Sequence, residues 1–210
     1  MPVRVKICGI TNRADALAAE KLGADALGFV FHPESPRSIS PEDARAICRE
    51  LSPFVGRVGV FVNRDEKSIV ETVSRCGLSA VQLSGDEPAD FLAGVPFPVI
   101  RAVRVRQRED LRTLAAFPAD STFVLDTYVP GSYGGTGIPF DWDLLDGGIG
   151  PYRIIIAGGL TPGNVADALD RFRPFGVDVA SGVEQSPGIK DQLKMRRFIR
   201  TVRRYGGHNP

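Results

Sequence analysis

Three features of this sequence have the chemistry to move a proton or hold an anion, and each follows a short apolar run. Cys8 closes the run in VRVKICGI (Val3 to Ile10), and Asp126 follows the apolar part of TFVLDTYV. Glycines cluster in AGGLTPGN and ASGVEQSPGIKD. A carboxyl group desolvated at the end of an apolar strand has its pKa raised toward neutrality and becomes a proton donor, and a thiolate is a base. A thiol and a carboxylic acid on opposite rims of one site suit proton transfer between neighbouring carbons with no net redox change, which is isomerase chemistry. Gly158, Gly159 and Gly182 let backbone N–H groups approach an anion, and a short helix starting near Ser186 or Pro187 would aim its positive end at that anion. Arg37, in the proline-bounded loop FHPESPRSIS, offers a planar fork for a carboxylate or phosphate. An ordinary surface arginine and a loop-capping aspartate are the plain alternatives for Arg37 and Asp126. Lys6 shares the face of Cys8 a layer below, where it either polarises the thiol or pairs with a barrel carboxylate.

These groups need a scaffold that collects strand ends. Strand starts near residues 3, 26, 57, 80, 98, 122, 153 and 177 recur about every 25 residues, leaving room for one crossover helix each. Eight such units predict a closed (β/α)8 TIM barrel, a single α/β domain over 1–206 with a tail at 207–210. GFVF, RVGVFV, AVQL, RIIIA and VDVA are short apolar runs, as expected of parallel strands covered on both faces. NRADALAAEKLG reads as a helix capped by Asn12 and stopped by Gly23, and SPEDARAICREL as one capped by Ser40 with Pro41 at its first position. EKSIVETVSRCG, EDLRTLAAF, GNVADALDRF and DQLKMRRFIRTVRRYG carry the same amphipathic spacing. Cys48 and Cys76 fall on such helices and read as buried apolar residues. The glycine-rich loop PGSYGGTGIPFDW after Asp126 reads as a lid or a ligand-apposed backbone. Arg196, Arg197, Arg200, Arg203 and Arg204 read as the solvated face of the terminal helix.

Composition narrows the partners. Of the 210 residues 43% are hydrophobic and 24% charged, and the net charge of +1 creates no field to collect nucleic acid or a membrane surface. No stretch approaches the ~20 apolar residues of a transmembrane helix, and the first strand starts almost at once, so the expected compartment is the cytoplasm. Two histidines without ligand spacing disfavour metal catalysis, and no GxGxxG opens the first helix, which disfavours a nicotinamide cofactor. A small-molecule substrate, no cofactor, and a monomer in preference to a homodimer are expected.

KICGIT (Lys6 to Thr11), GFVFHPESPR, VGVFVN, LDTYVPGSYGGTGIPFDW, AGGLTPGNV and GVDVASGVEQSPGIKD, in this order, closely resemble the phosphoribosylanthranilate isomerases of tryptophan biosynthesis. The resemblance implies a cofactor-free Amadori rearrangement of N-(5′-phosphoribosyl)anthranilate. In it Asp126 is the general acid on the furanose ring oxygen and Cys8 the base that removes the C2′ proton. It also implies that Arg37 holds the anthranilate carboxylate with Asp178 at the same end, and that Gly158, Gly159, Ser181 and Gly182 hold the phosphate. One position departs from the pattern: the family's usual QLHG is Gln82-Leu83-Ser84-Gly85 here, a serine for a histidine. The alternatives are a phosphosugar-binding barrel impaired in catalysis and a bifunctional isomerase that also serves histidine biosynthesis. Cys8 and the lack of an obvious half-repeat weigh against the second.

Overall fold

The computed structural model describes residues 2–127, 142–145 and 150–206. The expected lid segment 130–141 and the tail 207–210 lie outside the described residues. Eight parallel strands close a barrel in chain order: β1 (Arg4–Cys8), β2 (Ala26–Val30), β3 (Gly56–Phe61), β4 (Ala80–Leu83), β5 (Val99–Val105), β6 (Thr122–Thr127), β7 (Arg153–Ile156) and β8 (Gly176–Val179). The barrel shuts where β1 meets β8, with Lys6 opposite Asp178.

Side-chain alternation decides what each strand contributes. In β1, Val5 and Ile7 are fully buried against the outer helices, whereas Lys6 and Cys8 turn inward. The main apolar core therefore lies between barrel and helices, around Phe29, Phe61, Phe123 and Phe198. Inside the barrel a small second cluster of Val124, Ile155 and Ala157, flanked by Ile100 and Ala102, forms the apolar lining next to the polar mouth.

The caps of the first two helices are the expected ones. Asn12 accepts from the Asp15 N–H at the start of α1 (Arg13–Leu22), and Gly23 ends it in a left-handed conformation. Ser40 caps α2 (Pro41–Cys48) with Pro41 at the first position, and Asp65 caps α3 (Glu66–Cys76). α4 (Val165–Phe172) and α5 (Gln192–Gly206) complete the α-helices of the described residues.

The expectation of an α-helix after every strand fails at β4 and β5, where Ala89–Gly94 and Arg108–Ala116 are 3-10 helices. The first segment is crowded by Pro88, Pro96 and Pro98, which deny backbone donors. In the second, the inward residues Leu111, Leu114 and Phe117 recur at a spacing of three, which eclipses on a three-residue turn. The short helix expected near Ser186 also differs: Glu184–Ser186 (β9) and Ile189–Lys190 (β10) pair as an antiparallel hairpin, and a short 3-10 helix begins earlier, at Ser181–Val183. The terminal arginines divide as well. Arg196, Arg197, Arg200 and Arg204 are exposed, but Arg203 folds back to the Val3 and Gly23 carbonyls and to Asp25, clamping α5 to the barrel floor.

Candidate active site

The C-terminal ends of the strands surround one cavity, lined among others by Cys8, Arg37, Asp126, Gly158, Asp178 and Ser181. Seven of the eight residues nominated from sequence thus meet in one place. Gly182 is the exception. A Cβ there would run into the Leu160 carbonyl, so this glycine lets the β7 and β8 loops close on each other behind the cavity wall. Gly158 and Gly159 both have positive φ, +75° and +65°, a conformation that favours glycine. A Cβ on Gly158 would also strike Thr127, next to Asp126, so the β7 loop leans directly on the β6 end.

Cys8 sits where β1 meets Gly28 of β2. A Cβ on Gly28 would lie 2.7 Å from the Cys8 sulfur and 3.2 Å from Lys6 Cε, so this glycine supplies the room both side chains occupy. Lys6 Nζ is 2.9 Å from Asp178 Oδ2 in a buried ion pair, which answers the question the sequence left open. Burial alone would pull Lys6 down, but Asp178 and then Cys8 outweigh it together and hold the ammonium above the ordinary lysine range. Burial pushes the Cys8 thiol up; Lys6 and Lys190 pull it down, Asp178 pushes it up, and the net is a thiol above its ordinary range.

Asp126 is pushed up to about 6, chiefly by burial, with Asp178 adding to the rise while the Thr127 N–H, Lys6 and Arg104 oppose it. Its Oδ1 accepts from the Thr127 N–H at 2.8 Å. The carboxyl group is thus tuned into the range of a proton donor, by the desolvation that its position after an apolar strand predicts.

Arg37 is buried and grips a carboxylate, but one belonging to the chain: Nε and Nη2 reach Glu184 Oε1 and Oε2 at 2.9 and 2.7 Å. A guanidinium has five N–H donors, and among the described residues Nη1 has no hydrogen-bond partner on the protein. Gly9 makes this placement possible, because a Cβ there would lie 2.5 Å from Arg37 Cδ. Asp178 needs a correction. It is a carboxylate paired with Lys6, and its negative charge has the wrong sign to hold a substrate carboxylate. Its buried Oδ1, without a protein partner among the described residues, is instead an acceptor waiting for a donor. Gln82 lines the cavity in similar fashion, donating to Ser84 Oγ at 3.1 Å while its Oε1 has no protein partner. The described residues include no His/Cys/Asp/Glu group able to hold a metal ion.

Sequence reasoning missed Gly28, Gln82, Glu184 and Lys190. Gln82 was visible only as part of a motif. Glu184 and Lys190 lay in a loop read for its glycines, and Arg37 and Glu184 are 147 residues apart, so no local pattern announces their pairing.

The chain matches the family model for N-(5′-phosphoribosyl)anthranilate isomerase over residues 5–201. It is 49% identical over 201 residues to the protein of that name from Pelobacter propionicus, with 96% of each chain covered. The crystal structure of phosphoribosyl anthranilate isomerase from Thermotoga maritima superposes with a TM-score of 0.85 at 47% identity, covering 95% of this chain and 98% of that one. A phosphoribosyl anthranilate isomerase in complex with reduced 1-(o-carboxyphenylamino)-1-deoxyribulose 5-phosphate superposes with a TM-score of 0.84 at 46% identity over the same shares.

Proposed function

This chain belongs to the N-(5′-phosphoribosyl)anthranilate isomerase family and is an isomerase of tryptophan biosynthesis, and we propose that Cys8 and Asp126 perform its proton transfers. Asp126, protonated, donates to the furanose ring oxygen as the C1′–O bond breaks, and the anthranilate nitrogen supplies the electron pair, leaving a protonated Schiff base. Cys8 as thiolate then removes the C2′ proton, and the electron pair of that C–H bond moves to form the enolamine. Tautomerisation to the ketone completes the rearrangement. No step requires an external electron acceptor.

One observation carries this reading: Cys8 and Asp126 line one cavity together with Arg37 and the Gly158, Gly159 and Ser181 loops. The substrate has an anion at each end, and the cavity provides a grip for each. The free edge of Arg37 serves the anthranilate carboxylate, and the backbone at Gly159 and Ser181 serves the phosphate, with Gly182 bringing the two loops together. Asp178 Oδ1 and Gln82 Oε1 are acceptors for substrate N–H or O–H donors. Every group named here belongs to one chain, so each chain carries a complete set of these groups. No helix among the described residues is long and apolar enough to cross a membrane, and we take the cytoplasm as the working compartment.

The test is a fluorescence assay that follows loss of freshly prepared phosphoribosylanthranilate with chelator present. Rapid loss by the wild type and its absence in folded Cys8→Ala is the expected result. Near-wild-type turnover by that variant removes the base assignment, and saturable binding without turnover by the wild type selects a binding barrel.

A further inference from the structure

We propose that Glu184 and Lys190 are positioning residues which lock the Cys8 strand end, the Arg37 guanidinium and the phosphate-side loop into one rigid unit. The proposal rests on the roles given above to Cys8 and Arg37, and it deepens them. Glu184 is a buried carboxylate that receives Arg37 through both oxygens and Lys190 Nζ through Oε1 at 2.7 Å. Lys190 Nζ also donates to the Cys8 carbonyl at 2.6 Å and to the Ala180 carbonyl at 3.4 Å. The three acceptors match the three N–H donors of an ammonium group, which burial disfavours and Glu184 supports. The side chain of Lys190 is entirely enclosed and that of Glu184 nearly so.

The three anchor points are the functional ends of the cavity. Cys8 carries the base, Arg37 the carboxylate grip, and Ala180 precedes Ser181 on the phosphate side. The hairpin that presents Lys190 is tied down separately. The Lys190 N–H donates to Asp15 Oδ2 at 2.8 Å, Thr11 Oγ1 donates to the Gly188 carbonyl at 2.5 Å, and Lys194 Nζ donates to the Glu184 carbonyl at 2.7 Å. A buried network whose members each satisfy the others has one arrangement, so a shift of any anchor disturbs all three.

Lys190 also stands behind the thiol as a cation. Cys8 is faced by Lys6 from its own strand, by Asp178 from β8 and by Lys190 from β10. Lys6, partly offset by Asp178, is the larger cationic influence on the thiol, and Lys190, itself shared with Glu184, adds a second.

The experiment compares wild type, Lys190→Met and Glu184→Gln for kcat and KM, and for the pH dependence of iodoacetamide alkylation of the Cys8 peptide by mass spectrometry. Lys190→Met keeps the neutral Arg37–Glu184 pair and should fold. It should move the alkylation midpoint upward by about one pH unit and lower kcat about tenfold, with KM nearly unchanged. Glu184→Gln leaves two buried cations without their anion and should raise KM while lowering kcat; if it does not fold, Lys190→Met decides alone. A folded Lys190→Met with wild-type kinetics and an unmoved alkylation profile overturns the proposal. Failure of the base assignment is separable: Cys8→Ala then keeps its turnover, while the alkylation profile still reads the influence of Lys190 on the thiol.

Discussion

The Cys8 rim and the Asp126 rim each bury a weak acid, in partly different company. Around Cys8 stand Lys6, Asp178 and Lys190, with Glu184 and Arg37 one step farther out. Asp126 has the Thr127 N–H as its direct partner, and Val124 of the same strand belongs with Ile155 and Ala157 to the apolar lining of the barrel. Desolvation raises both groups, and the two roles value that rise oppositely. A proton donor profits from a carboxyl group moved up to about 6. A base is hindered by a raised thiol, so cations are concentrated on its side. Lys6 and Asp178 act on both groups; the acid site adds a backbone hydrogen bond and Arg104, the base site the cation of Lys190.

In the free protein this places the acid below the base in pKa, so at neutral pH the most populated form is ionised Asp126 with a neutral thiol. The productive form, protonated Asp126 with thiolate, is a minor one. Its fraction is level between about 6 and the higher thiol value, because the acid is lost as fast as the base is gained, and it falls as pH drops below about 6. A kcat/KM profile of that shape is expected from stopped assays across the pH range. A fall beginning at pH 7.5 or higher would show that burial does not set Asp126 as described.

The comparison breaks most severely at Asp126→Asn, which should lose about 10²- to 10⁴-fold in kcat while folding normally. Turnover close to wild type in a folded variant would remove Asp126 as the acid. The same substitution should move stability the other way. A carboxyl group raised in the folded state favours its protonated form, so the fold loses stability as pH climbs from the unfolded value of 3.8 through about 6. That difference of about two units is worth up to about 3 kcal/mol. Urea unfolding should find Asp126→Asn more stable than wild type at pH 7.5 and without that advantage at pH 4. Equal stability at both values would mean the carboxyl group is better solvated than its position suggests.

Arg37→Met attacks the crowded rim from the substrate side. Loss of a charged hydrogen bond to a carboxylate should raise KM about ten- to a hundredfold, with a smaller fall in kcat. Unchanged kinetics would leave Arg37 with the structural partnership to Glu184 alone. The smallest effect is expected between the rims, on β4's C-terminal end. Ser84→Ala removes the acceptor of Gln82 Nε2, which a water in the cavity replaces, so kcat/KM should fall no more than about threefold. A loss far beyond that would give the serine, at a position where the family pattern carries histidine, a direct part in the reaction.

Much of this was legible in the chain because it is local. The strand starts fall within one residue of those read from apolar runs, and Asn12, Ser40 and Pro41 cap where their types require. Cys8 and Asp126 were found because a polar residue that ends an apolar strand points into the mouth of a barrel. The helix type between β5 and β6 was not legible, since apolar residues three apart serve an α turn and a 3-10 turn alike. The phosphate-side helix was misplaced because SPG reads equally as a helix start and as the turn of a hairpin.

The sequence by itself determined the number and order of the strands, the caps of the first two helices, and the two titratable groups at strand ends proposed here to exchange protons, because each depends on neighbours within a few residues. The tertiary structure alone decided their company: Lys6 with Asp178 across 172 residues, Arg37 with Glu184 across 147, and Lys190 under Cys8 across 182. Closing the barrel brings β1 side by side with β8. The electrostatics that separate a thiol base from a carboxylic acid arise only there, in a low-dielectric interior where distance in space rather than along the chain sets the interaction.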